Sequence, residues 1–290
     1  MTSHLTDILS TKIRKLPSDW QPFINLVETN CGLVRVLDTG GQKPIMVSVP
    51  DGANVIEYQE SLIKKLSRNF RVVCIEMPGV GFSYPAMNYD FSLKKSALIV
   101  FNVLDKLFID RAALSFSCSN CFYALKMAKL SLGRLIHLFL VQTPSISMMP
   151  AWVQLNVPKI LTYPVIDQFV NSLFVEKLAT LWYKTSLPDE TEKTNYQSEA
   201  IHSIKKGGCF CLSSLVQGLK KDVDRSFLKI EEPITQIVDR KDYSHRNTKN
   251  RSIREYAPDC EIIEFADCGH FPDLGNTDKY VALVNERLVV

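Results

Sequence analysis

From about residue 34 onward, short apolar runs alternate with segments whose apolar residues recur at helical spacing. The apolar runs are rich in β-branched residues and predict strands at 34–40, 44–49, 71–77, 112–117, 135–142, 234–239 and 261–266. Helical spacing predicts helices at 53–66, 92–108 and 120–130, and a last helix that begins near Thr277. Repeated strand–helix units predict an α/β fold, with a doubly wound, mostly parallel sheet covered by helices on both faces.

Residues 145–228 interrupt this alternation. The segment opens with a stretch rich in proline, methionine and aromatic residues and continues with helical patterns. It is too long for a simple crossover between strands and too apolar for a linker. We therefore predict a core formed by residues 1–144 and 229–290, with a helical cap or lid inserted at 145–228.

Composition and charge narrow the class of protein. The chain of 290 residues is 46% hydrophobic and 22% charged, which is ordinary for a soluble globular protein. A net charge of +3 without a dense basic stripe gives no reason to expect a nucleic-acid partner. The N-terminus lacks the apolar core of a signal peptide, and no apolar run is long enough to span a bilayer. We therefore expect a cytoplasmic protein with no membrane span, and nothing in the sequence predicts an oligomeric state.

The eight cysteines are expected to be free thiols, since disulfides are rare in cytosolic chains. The sequence CSNC at 118–121 has the CxxC spacing but no second pair and no nearby histidine at zinc-ribbon spacing. A redox role for this pair is an alternative with little support. No phosphate-binding glycine loop is present either, so neither a metal nor an organic cofactor is expected.

The predicted strand at 112–117 leads into the next helix through the sequence SFSCS. A serine on a sharp strand-to-helix turn is the geometry of a nucleophile elbow, in which the residues two before and two after the nucleophile are small. With Ser117 as the nucleophile, those residues are Ser115 and Ser119, where the strict G-x-S-x-G signature has glycine. Taken alone, the stretch favours a serine-rich turn that has no catalytic role.

A serine nucleophile needs a base, and the base needs an acid that fixes its tautomer. Asp242 follows the predicted strand at 234–239, and His270 lies in the loop after the last predicted strand. Catalytic groups in open α/β sheets collect at the carboxyl ends of the strands, so both residues are expected at one edge. Asp239 and Glu264 are rival acids, and neither His202 nor His245 has a partner that the sequence identifies.

The sequence from about residue 34 onward resembles the α/β-hydrolase superfamily. Four segments carry the resemblance: LSRNFRVVCIEMPGVGFS (66–83), ALSFSCSNCFYAL (113–125), PITQIVDRKD (233–242) and FADCGHFPDLGNTDKYVALVNERL (265–288). This resemblance implies that Ser117 is the nucleophile, Asp242 the acid and His270 the base.

The family also supplies an expectation for the oxyanion hole. One N–H comes from the residue after the nucleophile, here Cys118, and the second comes from the loop after the strand at 44–49. That loop reads SVPDGAN, in which Pro50 has no N–H to donate, so Val49, Asp51 or Gly52 would supply the second donor. A carboxylate at Asp51 would oppose a developing oxyanion.

The resemblance implies a serine hydrolase that cleaves an ester, thioester or related acyl bond of a hydrophobic small molecule. The bulky side chains of the insertion predict an apolar substrate pocket formed by Met148, Trp152, Phe169, Phe174 and Trp182, with core packing as the alternative explanation. Two other functions remain open. One is a hydrolase of C–C bonds, or a lyase or cyclase of a biosynthetic pathway. The other is a non-catalytic relative that binds a ligand or a protein partner.

Overall fold

The computed structural model describes residues 8, 23–52, 54–130, 133–188, 193–221, 230–249 and 251–288. The strands of this part of the chain are β1 (Ile24–Thr29), β2 (Gly32–Asp38), β3 (Ile45–Val49), β4 (Arg71–Ile75), β5 (Val80–Gly81), β6 (Tyr84–Pro85), β7 (Ala112–Ser117), β8 (Leu135–Val141), β9 (Cys209–Phe210), β10 (Ile234–Asp239) and β11 (Glu261–Phe265).

Nine of these strands form one sheet. Eight lie in the order β1–β2–β4–β3–β7–β8–β10–β11, and β6 pairs with β2 beside that path. The pairs β1–β2 and β2–β4 are antiparallel, and every neighbouring pair from β4 to β11 is parallel. The predicted mostly parallel sheet is therefore confirmed, with an antiparallel edge that the sequence pattern did not indicate.

Helices cover both faces of the sheet, as predicted. The helices of the described residues are α1 (Glu60–Leu66), α2 (Leu93–Lys106), α3 (Cys121–Leu130), α4 (Met149–Asn156), α5 (Ile166–Ser186), α6 (Thr194–Lys205), α7 (Leu212–Lys221), α8 (Pro272–Gly275) and α9 (Thr277–Leu288). The helix predicted at 53–66 begins instead as a single 3₁₀ turn, Ile56–Gln59, and continues as α1.

Strand β7 separates two hydrophobic clusters and places the candidate site. Its side chains alternate between the faces of the sheet, as in any strand. Leu114 and Phe116 enter the cluster that contains α2 and α3. Ser115 and Ser117 point the other way, and the Ser115 hydroxyl lies 2.6 Å from the hydroxyl of Tyr280 on α9. Both serines of the strand therefore face α8 and α9 rather than the end of the sheet.

The predicted insertion contributes helices α4 to α7 and strand β9 in the described part of the chain. Strand β9 pairs with β5 in a two-stranded sheet, which joins the insertion to the core. The boundary predicted at residue 228 lies outside the described residues, so the division into core and cap stays a prediction. No helix in the described residues is both long and apolar enough to cross a membrane.

Candidate active site

The apex of the turn after β7 is Cys118. Strand β7 ends at Ser117, which still pairs with Val141 of β8. Cys118 follows with a φ of +51°, in the left-handed region that residues other than glycine rarely adopt. Strain of this kind concentrates at functional sites, and a nucleophile elbow is a strained strand-to-helix turn. With Cys118 as apex, the flanking positions are Phe116 and Asn120, neither of them small.

Ser117 does not meet the predicted base. Its hydroxyl donates to Asp273 Oδ2 at 3.3 Å, and the residue is 3% exposed. The Cys118 thiol instead lies within 4.8 Å of donor nitrogens of both His270 and His245. The structure therefore places the thiol of Cys118, one residue after the predicted nucleophile, near both histidines, while the Ser117 side chain faces Asp273.

Asp242 and His270 come together as predicted. His270 Nδ1 donates to Asp242 Oδ2 at 2.6 Å, and both side chains are buried. Asp242 Oδ1 accepts from the Ser244 hydroxyl at 2.6 Å and from the N–H groups of Ser244 and His245 at 2.9 Å and 3.3 Å. Burial acts to raise the pKa of Asp242, but the charge and hydrogen bond of His270 outweigh it and hold the pKa at about 2. Asp242 is therefore ionised near neutral pH, and hydrogen bonds hold both of its oxygens.

The rival acids have other roles. Asp239 accepts from the N–H groups of Cys268 at 2.6 Å and Lys241 at 2.7 Å, so it holds the loops that follow β10 and β11. Glu264 pairs with Arg240 at the surface.

A second carboxylate contacts the other ring nitrogen of His270. Asp51 Oδ2 lies 3.0 Å from His270 Nε2, so the imidazole lies between Asp51 and Asp242. Burial acts to lower the pKa of His270, but Asp242 and Asp51 raise it well above its usual value. His270 therefore holds its proton and donates a hydrogen bond to each carboxylate. Nothing in the sequence indicates this contact, because Asp51 and His270 are far apart along the chain.

His245 adds a second imidazole, stacked on His270 with ring centroids 5.3 Å apart. Its Nδ1 lies 3.0 Å from Thr248 Oγ1, and the Thr248 hydroxyl donates to the His245 carbonyl. Thr248 Oγ1 therefore accepts from Nδ1–H. Burial lowers the pKa of His245 to about 4, so the ring is neutral and Nε2 carries a lone pair. That nitrogen faces Cys118 Sγ at 4.0 Å.

The thiol at the elbow is held in its protonated form. Burial is the main cause that raises the pKa of Cys118 to about 11, and the charge of Asp51 raises it further. The nearby His270 imidazolium acts in the opposite direction and does not overcome them. Sequence reasoning treated Cys118 only as an oxyanion donor and as half of a CxxC pair. The sole local signal for its position is the alternation of apolar and polar residues through Ser117.

The loop after β3 brings two of its three predicted oxyanion residues to the site, because Asp51 and Gly52 border the same cavity as Cys118. Val49 is the last residue of β3 and lies opposite Phe116 in the sheet. Ser119, the residue after the apex Cys118, also borders the cavity.

An apolar cavity of about 220 Å³ opens beside the thiol. Trp152 and Trp182, both predicted to line the pocket, border it. Met149, the neighbour of the predicted Met148, borders it as well, whereas Met148 does not, and Phe169 and Phe174 are 65% and 52% exposed and lie outside its lining. The spacing of apolar residues along a helix does not show which of its faces meets the cavity.

The two tryptophans also shield the histidines. Trp152 lies against the His245 ring with centroids 5.7 Å apart, and Trp182 meets the edge of the His270 ring at 5.4 Å. The indoles contact each other as well, at 6.3 Å. The insertion thereby keeps both imidazoles away from water.

Comparison with solved structures shows the fold. The chain is similar to epoxide hydrolase A from Mycobacterium thermoresistibile, with a TM-score of 0.76 and 14% identity over 92% of this chain and 98% of that one. It is also similar to a hydrolase from Pseudomonas aeruginosa, with a TM-score of 0.69 and 14% identity over 93% and 100%. A third structure, Est816, described as an N-acyl homoserine lactone degrading enzyme, has a TM-score of 0.68 and 15% identity over 90% and 99%. No family model and no curated protein sequence matches the chain.

Proposed function

Starting from the α/β-hydrolase fold of this chain, we propose that it is a hydrolase whose nucleophile is Cys118. Its substrate is an ester, thioester or related acyl compound of a hydrophobic small molecule. This proposal keeps the acid and the base predicted from the sequence and replaces Ser117. The observation that carries it is the strained backbone of Cys118, which presents its thiol to the cavity beside His270.

Each residue of the site has a role in the proposed acyl transfer. His270 first passes its Nε2 proton to Asp51 and then accepts the thiol proton of Cys118, while Asp242 holds Nδ1. The thiolate attacks the carbonyl carbon, and the Ser119 N–H helps to hold the oxyanion. The tetrahedral intermediate collapses as His270 returns the proton to the leaving group. Water, deprotonated by His270, then hydrolyses the acyl-thioester and frees the thiol.

The apolar lining supports a hydrophobic acyl group or alcohol. Trp152, Leu161, Val175 and Trp182 border the cavity, which also holds Cys118 and Asp51. Ligand sites commonly combine an apolar wall with a few convergent polar groups. A polar substrate would leave its hydrogen-bonding groups unpaired against that wall.

The test is to identify the acylated residue. A panel of 4-nitrophenyl esters of increasing chain length is incubated with the protein, and the acyl adduct is mapped by mass spectrometry. We expect the adduct on Cys118, and a loss of about 10³-fold or more in kcat for Cys118→Ala, as for other nucleophile deletions. Cys121→Ala is the matched control, because Cys121 is buried on the same turn and its thiol donates to the Phe116 carbonyl.

Ser117→Ala separates this proposal from the serine prediction. We expect turnover within a few-fold of wild type, because the Ser117 hydroxyl faces Asp273. Loss of turnover in Ser117→Ala together with a serine adduct would restore Ser117 as nucleophile. If no member of the panel gives either an adduct or turnover, the site is not that of an acyl hydrolase.

One observation favours a second candidate, a C–C bond hydrolase or lyase. A proton can move along the hydrogen-bonded chain Asp51–His270–Asp242 without involving the Cys118 thiol. Such an enzyme would act on a β-dicarbonyl compound, and its turnover would survive Cys118→Ala and be lost in His270→Gln. The opposite pattern would exclude it.

A further inference from the structure

We propose that Cys118, His245 and His270 form a binding site for a thiophilic divalent cation, with Zn²⁺ as the preferred ion. The sequence predicted no metal site, because these three residues come from separate segments with no ligand spacing. The site goes beyond the proposed hydrolysis, and binding of the ion does not depend on it.

The donor atoms already converge. Cys118 Sγ and one nitrogen of each histidine lie within 4.8 Å of one another, and His245 Nε2 is 4.0 Å from the sulfur. Asp51 Oδ2 is 3.0 Å from His270 Nε2. A tetrahedral zinc ion with bonds of about 2.0–2.3 Å separates its donors by roughly 3.3–3.6 Å. Each of these three donors therefore needs to shift by about 1 Å or less to reach this geometry, and the fourth position is left for a water from the cavity.

Hydrogen bonds orient both imidazoles for this purpose. The Nδ1 of His270 donates to Asp242, and the Nδ1 of His245 donates to Thr248. Metal-bound histidines almost always donate their other N–H to a carboxylate or another oxygen acceptor in this way. In each ring the remaining nitrogen is Nε2, and for His245 that nitrogen lies 4.0 Å from the Cys118 thiol.

Charge and ligand type favour zinc. A Cys118 thiolate and the Asp51 carboxylate together carry two negative charges, which balance a divalent cation. Thiolate and imidazole ligands suit zinc, whereas magnesium and calcium prefer oxygen ligands. Binding releases the thiol proton and the Nε2 proton of His270 to solvent. Cys118 and Asp51 both border the cavity, which gives the ion a route to the site.

An ion in this position blocks the groups that the proposed hydrolysis uses. It binds the thiolate of the nucleophile and the nitrogen of His270 that would move protons. On the proposed function, one equivalent of Zn²⁺ therefore stops hydrolysis, and a chelator restores it. This consequence rests on the proposed function, whereas metal binding is measured without any substrate.

The experiment uses Co²⁺ as a spectroscopic substitute for Zn²⁺. The full chain is reduced, stripped with EDTA and titrated with Co²⁺. We expect one ion per chain, a thiolate-to-cobalt charge-transfer band in the near ultraviolet, and the visible bands of a four-coordinate ion. Added Zn²⁺ should displace the cobalt and abolish the spectrum.

Variants assign the ligands. Cys118→Ser should abolish the charge-transfer band, and His245→Gln should raise the Kd for Co²⁺ by at least about 10-fold, as loss of metal-site residues does. His202→Gln is the matched control, because His202 is exposed on α6, and its Kd should equal that of wild type. Far-ultraviolet circular dichroism and the unfolding midpoint of each variant show that it is folded.

Three results would overturn the proposal: no charge-transfer band at millimolar Co²⁺, a band that persists in Cys118→Ser, or equal Kd values for folded His245→Gln and wild type. None of these results bears on the acyl adduct. A metal site without hydrolysis and hydrolysis without a metal site are therefore distinguishable.

Discussion

Asp273 on α8 accepts a hydrogen bond from Ser117 at the end of β7, and replacing it should change how the free energy of unfolding depends on pH. The residue is 2% exposed, its Oδ2 accepts from the Ser117 hydroxyl, and its Oδ1 has no hydrogen-bond partner among the described residues. Burial raises its pKa from 3.8 to about 6. An Asn side chain has nearly the same shape and does not ionise, so Asp273→Asn removes the titration and keeps the packing.

The magnitude follows from the two pKa values. The unfolded chain releases the proton at 3.8 and the folded chain at about 6, so the favourable contribution is complete below 3.8 and is lost as the pH rises through 6. At about 1.36 kcal/mol per pKa unit, the full loss is about 3 kcal/mol. Roughly 1.4 kcal/mol of it falls between pH 5 and pH 8, because the unfolded chain is already mostly ionised at pH 5.

The assay is urea unfolding of wild type and Asp273→Asn at pH 5 and pH 8 and at constant ionic strength. The variant's stability relative to wild type should rise by roughly 1.4 kcal/mol from pH 5 to pH 8. Asp259→Asn, at an exposed aspartate, is the matched control. If the difference between Asp273→Asn and wild type is the same at both pH values, Asp273 is ionised in the folded protein and the reasoning fails.

Three further predictions concern the thiol, the core and the cavity. Asp51→Asn should speed alkylation of the elbow thiol by iodoacetamide about 10-fold at pH 7.5 in EDTA, because the charge that opposes the thiolate is gone; an unchanged or slower rate would contradict the role of this carboxylate. Glu76→Gln should lower the free energy of unfolding by about 3 kcal/mol, because the buried Arg35 guanidinium loses a charged partner at 2.6 Å; a urea midpoint equal to that of wild type would contradict this. Trp182→Ala should weaken binding of a fluorescent hydrophobic ester analogue by about 10-fold, whereas Phe169→Ala should not; equal losses would show that the cavity is not the binding site.

Much of the fold could be predicted because the buried strands are short apolar runs that alternate with segments of helical spacing. The seven predicted strands correspond to β2, β3, β4, β7, β8, β10 and β11 within a few residues. Strand β1 was missed because it is an edge strand with mixed burial, so its apolar residues show no clear period. Strands β5, β6 and β9 have two residues each, which is too short for any periodic signal.

The candidate site could be predicted only where the fold itself brings residues together. Asp242 and His270 follow strands β10 and β11, and the carboxyl ends of parallel strands meet at one edge. Asp51 was predicted at the site as an oxyanion residue, but its contact with His270 and the presence of His245 depend on loop conformations that leave no pattern in the sequence. Ser117 was predicted as the nucleophile because of the small residues at 115 and 119.

The alternation of apolar and polar residues in AALSFS indicates which residues near the turn can face the cavity. Leu114 and Phe116 are apolar and lie on one face of β7, which requires Ser115 and Ser117 to lie on the other. A residue that is still paired in the sheet, as Ser117 is with Val141, directs its side chain to a face of the sheet. Only the next residue is free to adopt the left-handed backbone that turns a side chain toward the cavity. In this chain that residue is Cys118, so the proposed nucleophile follows from where the strand ends rather than from the spacing of small residues.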